Sequence, residues 1–269
     1  MSPEVKPDFL ISPEGLRVDG RRIDEMRPIE MKVGVLKQAD GSASIRQGKT
    51  YIMAAVYGPR ELHPRHLTQN DKAYLRVTYR MTTFSVPDRK RPAPSRREKE
   101  ISMVIANALR PVIFLEEYPK SVIDVFVTVI QADGGTRCAA INAASLALAD
   151  AGIPMRSLVP AVAVGKADGH LIVDLGDEED KYGQGDIPMA TIPNTDEIVL
   201  LQQDGSFTRE EIMEAIQMGI NSCKYLHEIQ KDALKLAYAR KDGDDDEDDD
   251  DYEDDLEHDL GEADIPGDE

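Results

Sequence analysis

Apolar and polar positions alternate over residues 27–38 and 42–47, on either side of the turn Ala39-Asp40-Gly41, and again over 50–57. A period of two with turn residues between the runs predicts a hairpin and a third strand. Residues 62–71, which include His63-Pro64-Arg65-His66, read as a polar loop, and 75–82 as a strand. From Ser95 the period lengthens. Ser95 stands three residues before Glu98, and Ile101, Val104, Ile105, Ala108, Leu109 and Val112 follow at helical spacing, which predicts a capped helix. Residues 121–131 (SVIDVFVTVIQ) are rich in β-branched side chains and read as a buried strand. Asp133-Gly134-Gly135-Thr136 then opens an alanine-rich helix over 137–150, whose small side chains imply close packing on a sheet.

The second half repeats the theme without a clean internal repeat. Residues 161–165 and 171–175 predict a hairpin through Ala167-Asp168-Gly169, and strands follow at 185–192 and 197–203. Residues 209–239, capped by Thr208, carry one apolar stripe through Ile212, Ile216, Ile220, Cys223, Leu226 and Ala233. The order of elements predicts an α+β fold. An N-terminal extension (1–14), a folded body (15–241, in halves of about 15–155 and 156–241) and a tail (242–269) are the expected divisions.

Charge sharpens this picture. The formal net charge is −19, but 18 acidic residues and no Lys or Arg lie in 242–269. Removing these 18 from the 51 acids leaves 33 against 32 bases, so the body is nearly neutral. The tail has too little apolar surface to offset ordering entropy and is expected to be disordered. Within the body, Arg89, Lys90, Arg91, Arg96, Arg97 and Lys99 form a basic cluster around Pro92 and Pro94, the asymmetry an anionic substrate needs. The two cysteines, Cys138 and Cys223, fit no disulfide framework or metal spacing and read as buried, reduced thiols. No apolar run has the roughly 20 residues of a membrane span, and residues 1–9 lack the apolar stretch of a signal peptide. A cytoplasmic protein is expected.

Three segments are placed to carry chemistry. In Asp133-Gly134-Gly135-Thr136-Arg137, two glycines allow close backbone approach. Helix-start N–H groups, a hydroxyl and a guanidinium are together suited to a phosphate. Read alone, the segment is equally a glycine turn before a helix. Arg96 and Arg97 oppose the dipole of the helix they begin unless an anion is bound. They suit a diester backbone, although a solvated basic turn has the same composition. In the third segment, Asp177-Glu178-Glu179 reads as a solvated acidic loop. Asp186 begins an apolar strand, where partial burial raises a carboxyl toward general-acid use. Asp180 and Asp186 also form a pair able to hold hydrated Mg²⁺.

Seven collinear segments carry a resemblance: GLRVDGRRIDEMRPI (15–29), GPRELHPRHL (58–67), PAPSRREKEIS (92–102), IDVFVTVIQADGGTR (123–137), ADAGIPM (149–155), VGKADG (164–169) and EDKYGQGDIPMA (179–190). With them, the chain resembles the RNase PH family of phosphorolytic exoribonucleases over about residues 12–239, most closely the members that build the catalytic ring of the archaeal exosome. The resemblance implies the RNase PH fold, a duplicated β-α-β unit shared with domain 2 of ribosomal protein S5. It implies 3′-to-5′ shortening of single-stranded RNA with inorganic phosphate as co-substrate, and the reverse addition of RNA tails. Gly135, Thr136 and Arg137 would hold phosphate. Arg96 and Arg97, with Arg65 and His66 of the HPRHL loop, would hold RNA, and Asp186 would be the acid with Asp180 beside it. Six chains would form a ring, this one alternating with a non-catalytic sister subunit beneath RNA-binding cap subunits. A transfer-RNA-trimming homohexamer and a silent, RNA-binding ring subunit are the alternatives.

Overall fold

The computed structural model describes residue 7 and residues 9–244. Its first sheet is built from β1 (Ile29–Val33), β2 (Gly41–Gln47), β3 (Thr50–Glu61), β4 (Tyr74–Met81) and β5 (Ser121–Gln131). Their spatial order is β1-β2-β3-β5-β4. Every pair is antiparallel except β4 and β5, which run parallel from Tyr74↔Val122 to Met81↔Val129. A parallel pair needs a crossover, and α1 (Arg96–Leu109) supplies it. Ser95 and Glu98 form the expected capping box, with Glu98 N–H donating to Ser95 Oγ at 3.2 Å and Ser95 N–H to Glu98 Oε2 at 2.7 Å. The first predicted strand is shorter than expected and ends at Val33, because Gly34 at φ +69 turns the chain away.

After β5 comes α2 (Thr136–Asp150), which packs on β2, β3 and β5 on one side and on strands of the second sheet on the other. This explains its composition: a helix enclosed on all sides shows no polar face, and alanines allow two sheets to approach it. Gly41 serves the same packing, since a Cβ there would sit 2.2 Å from Ala151 N.

The second sheet holds β6 (Ala161–Ala167), β7 (His170–Val173), β8 (Gly185–Ile192), β9 (Glu197–Leu201) and the two-residue β10 (Asp204–Gly205). Both β9 and β10 pair with β8, so one edge of β8 is covered by two successive strands. Between β7 and β8 lies α3 (Asp177–Tyr182). This corrects the expected solvated loop: Glu179 is 4% exposed and paired with Arg17. The last helix, α4 (Arg209–Asp244), covers β6, β7 and β8 and begins with a second capping box between Thr208 and Glu211. It outruns its predicted end, so residues 242–244 of the expected tail are helical, and the remainder of that tail lies outside the described residues. The mixed α+β architecture is the one expected. Cys138 and Cys223 are both buried and free. Among the described residues, no helix is long and apolar enough to cross a membrane.

Candidate active site

The C-terminal end of β5 delivers the chain into the turn Asp133-Gly134-Gly135 and then α2. Gly134 and Gly135 adopt φ +72 and +63, a region that side-chain-bearing residues rarely enter. Space enforces the choice as well, because a Cβ on Gly134 would lie 2.6 Å from Gly176 C. The glycine turn therefore rests directly on the start of α3. Thr50 clips it from behind: Asp133 N–H donates to Thr50 Oγ1, whose hydroxyl donates to Gly134 O, both at 3.0 Å. Arg27 Nη1 donates to Asp133 O.

Gly135 gives α2 no side-chain cap, and the first N–H groups of any helix lack intrahelical acceptors. The opening of α2 is thus a set of donors with a favourable dipole. Thr136 Oγ1 accepts from the buried Tyr79 hydroxyl at 3.1 Å, which leaves its own proton to donate. Arg137 follows on the first turn.

A cavity of about 130 Å³ faces these groups, lined by Gly134, Gly135, Thr136, Arg137, Arg97, Lys90, Asp180 and Asp186. All five residues assigned from sequence to phosphate, acid and metal line it, and one of the paired arginines joins them: Arg97 lines the cavity, whereas Arg96 does not. Asp186 arrives on β8 and Asp180 on α3. Burial pushes the Asp186 carboxyl above the usual carboxylate range; the charge of Asp180 adds to this, Arg137 opposes it, and Asp204 adds further. Burial also raises Asp180, with Arg97 opposing and Asp177 adding. Two carboxyls of raised proton affinity thus stand beside two guanidinium groups, an arrangement suited to acid chemistry on an anionic ligand.

Arg65 and His66 stand elsewhere. They occupy an exposed 3-10 turn, Arg65–Leu67, before β4, and Arg65 is paired with Glu61 at 2.9 Å. The eight residues of β4 run from there toward the cavity, a length of roughly 25 Å at ~3.3 Å per residue. In one chain the two sets lie at opposite ends of a strand.

The frame beneath the site is built from residues that local sequence pattern does not single out. Arg17 Nε donates to Glu179 Oε1 at 2.7 Å, and its other nitrogens donate to Val173 O at 2.6 Å and Asp174 O at 2.8 Å. Asp174 holds Arg27, which holds the glycine turn through Asp133 O. Asp204 faces Asp186 across the β10–β8 register. The signal available was the density of arginines in residues 15–29, a segment too rich in cations to be solvated coil by accident. A larger, open cavity of about 1200 Å³ lies between the N-terminal segment and α4. It shares Arg27 and Asp133 with the back of the loop, but contains neither Arg137 nor the carboxyl pair.

Residues 25–154 match domain 1 and residues 157–222 match domain 2 of the 3′ exoribonuclease family, RNase PH. The chain is 54% identical over 231 residues to exosome complex component Rrp41 of Thermococcus onnurineus, covering 86% of this chain and 93% of that one. Its identity to Rrp41 of Pyrococcus furiosus is 55% over 238 residues, covering 88% and 95%. With Rrp41 of Nitrosopumilus maritimus it is 52% over 235 residues, covering 87% and 96%. Among solved structures, rice Rrp46 superposes with a TM-score of 0.71 at 27% identity, covering 80% of this chain and 98% of that one. An Archaeoglobus fulgidus exosome chain, from a structure with RNA bound to the active site, superposes at 0.70 and 24% identity, covering 80% and 92%, which supports the fold. With both family domains matched in order over most of its length, the chain belongs to the RNase PH family of 3′ exoribonucleases.

Proposed function

We propose that this protein is the catalytic 3′-to-5′ phosphorolytic exoribonuclease subunit of an exosome. The observation that carries the reading is the single cavity in which a helix-start anion site, Arg97, Arg137 and two carboxyls with raised proton affinity converge. Gly135, Thr136 and Arg137 hold inorganic phosphate, and Arg97 holds the terminal diester, with Arg96 behind it. An oxygen of phosphate attacks the last phosphorus in line, the bond to the 3′ oxygen breaks, and Asp186 gives that oxygen a proton. Phosphate brings the replacement proton, so a nucleoside diphosphate leaves and the site is reset. Little covalent work is asked of the protein, and alignment and charge supply the rate. Because one phosphate bond is exchanged for another, excess nucleoside diphosphates drive tail synthesis.

Mg²⁺ fits in a limited form. The charge of Asp180 raises the cost of ionising Asp186, which a divalent cation would relieve. Among the described residues no group of three or more His, Cys, Asp or Glu is placed for a metal. Such an ion would be held by the two carboxylates and otherwise by water and substrate, as Mg²⁺ often is. Its chemistry there would be to offset charge on the phosphates.

The partners we assign are single-stranded RNA, a non-catalytic sister subunit alternating with this chain in a six-membered ring, and RNA-binding caps. What supports this is that the relatives above are named as exosome components. Arg65 and His66, exposed and remote from the cavity, suit contacts to RNA upstream of the cleaved bond. A cytoplasmic location goes with two free thiols, which a reducing compartment preserves. The test is end-labelled RNA incubated with and without phosphate, and with and without the sister subunit. Shortening that requires phosphate is expected; equal shortening in phosphate-free buffer would refute the reading.

A further inference from the structure

Both strands on the outer edge of β8 pair with it closely, Leu201 opposite Met189 and Asp204 opposite Asp186. The two residues between them must therefore pass beside the middle of β8. Gln202 is pinned there, its N–H donating to Pro188 O at 3.1 Å. From that point its side chain reaches the other half of the molecule: Arg137 Nη1 donates to Gln202 Oε1 at 2.6 Å. Pro188 and Arg137 both line the phosphate cavity.

We propose that Gln202 is a positioning residue for the attacking phosphate, holding the Arg137 fork in place through an acceptor that carries no charge. This rests on the phosphate-binding role given to Arg137 above. A guanidinium has five N–H donors in a rigid plane, and fixing one nitrogen fixes the direction of the rest. Arg137 Nε is buried without a hydrogen-bond partner. The buried Nε offers the fork no such anchor, which leaves the Nη1 bond to Gln202 to direct it.

The neutrality of the amide is the second half of the inference. Asp177, Asp180 and Asp186 already line the cavity. A fourth carboxylate bonded to Arg137 would take up the positive charge that phosphate needs. Glutamine supplies the same acceptor oxygen on the same stem without that competition. The loop between β9 and β10 thus links the acid and the nucleophile site. Its two anchors, Asp204 to Asp186 and Gln202 to Arg137, lie two residues apart.

Steady-state phosphorolysis by the full-length protein, with inorganic phosphate and RNA varied separately, tests this in Gln202→Met, Gln202→Ala and Gln202→Glu. Met fills the same space without the acceptor, and Glu keeps an acceptor but adds charge. The expected result is a KM for phosphate about tenfold higher in the Met and Ala variants and higher still in Glu, with the KM for RNA within about twofold of wild type. Equal thermal midpoints confirm that all three fold. A Gln202→Glu variant with the wild-type KM for phosphate overturns the inference, as does a Met variant that matches wild type. Failure of the underlying reading shows separately, in the wild-type arm, as RNA shortening without phosphate.

Discussion

The Asp174 carboxylate takes three hydrogen bonds from Arg27: the backbone N–H and Nε at 2.9 Å each, and Nη2 at 2.6 Å. Both side chains are about 95% buried. Burial alone would raise the Asp174 carboxyl, but the hydrogen bonds and charge of Arg27, with Arg21 behind, hold it below the ordinary value. Since Arg27 also holds the carbonyl of Asp133, this pair couples the second half of the molecule to the glycine turn that opens α2 in the first.

Removing the carboxylate leaves a buried guanidinium without its counter-charge. Asp174→Ala is expected to lose about 3–5 kcal/mol of stability at neutral pH. A depressed folded-state pKa stabilises fully above the unfolded value, near ~3.9, and is lost as pH falls through the lower folded value. The gap between wild type and variant should therefore be constant above about pH 5 and shrink below it. Chemical denaturation across pH measures this; a gap that widens toward acid would contradict the assignment.

Asp186→Asn should abolish phosphorolysis and synthesis together, by about 10²–10⁴-fold each, because one transition state serves both directions. RNA binding, read by filter retention, should persist. Loss of one direction alone would remove Asp186 from the acid role.

Asp204 stands opposite Asp186 in the β10–β8 register, and its charge is among the causes that raise the Asp186 carboxyl. A proton donor works below its pKa, so the rate should fall as pH rises through that value. Asp204→Asn removes a negative neighbour and lowers the pKa, and the fall should move to lower pH. A profile at fixed Mg²⁺ that moves the other way would show that Asp204 acts differently.

The two arginines that begin α1 should separate. Arg97 lines the cavity and its charge reaches Asp180, Asp186 and Tyr79, whereas Arg96 is not among the lining residues. Arg97→Ala is expected to cost kcat/KM at least about tenfold more than Arg96→Ala. Equal losses in parallel kinetic runs would mean that the diester lies between them.

Strands and helices with strong periodicity were legible in the sequence. β5 and β8 begin and end where predicted, because each is a β-branched or apolar run bounded by polar residues. The cap of α1 was legible because it is written within four residues. Glu179 was not, because nothing local distinguishes a carboxylate awaiting Arg17, 162 positions away, from one facing water. Gln202 and Asp204 were hidden for the same reason, since their partners lie across strand pairings that local periodicity does not specify. Of the candidate site, the residues along one segment, 133–137, were readable from turn chemistry. The convergence of α1, α3 and β8 on that segment needed the fold.

If phosphate is the nucleophile at Gly135, Thr136 and Arg137, its own atoms end up in the product. RNA is digested by the wild-type protein with ³²P-labelled inorganic phosphate, and the released nucleotides are separated. Label is expected in the β-phosphate of nucleoside diphosphates, one labelled product per nucleotide removed, and none with Arg137→Ala. Unlabelled nucleoside monophosphates would show that water attacks instead, and would contradict phosphate as the nucleophile.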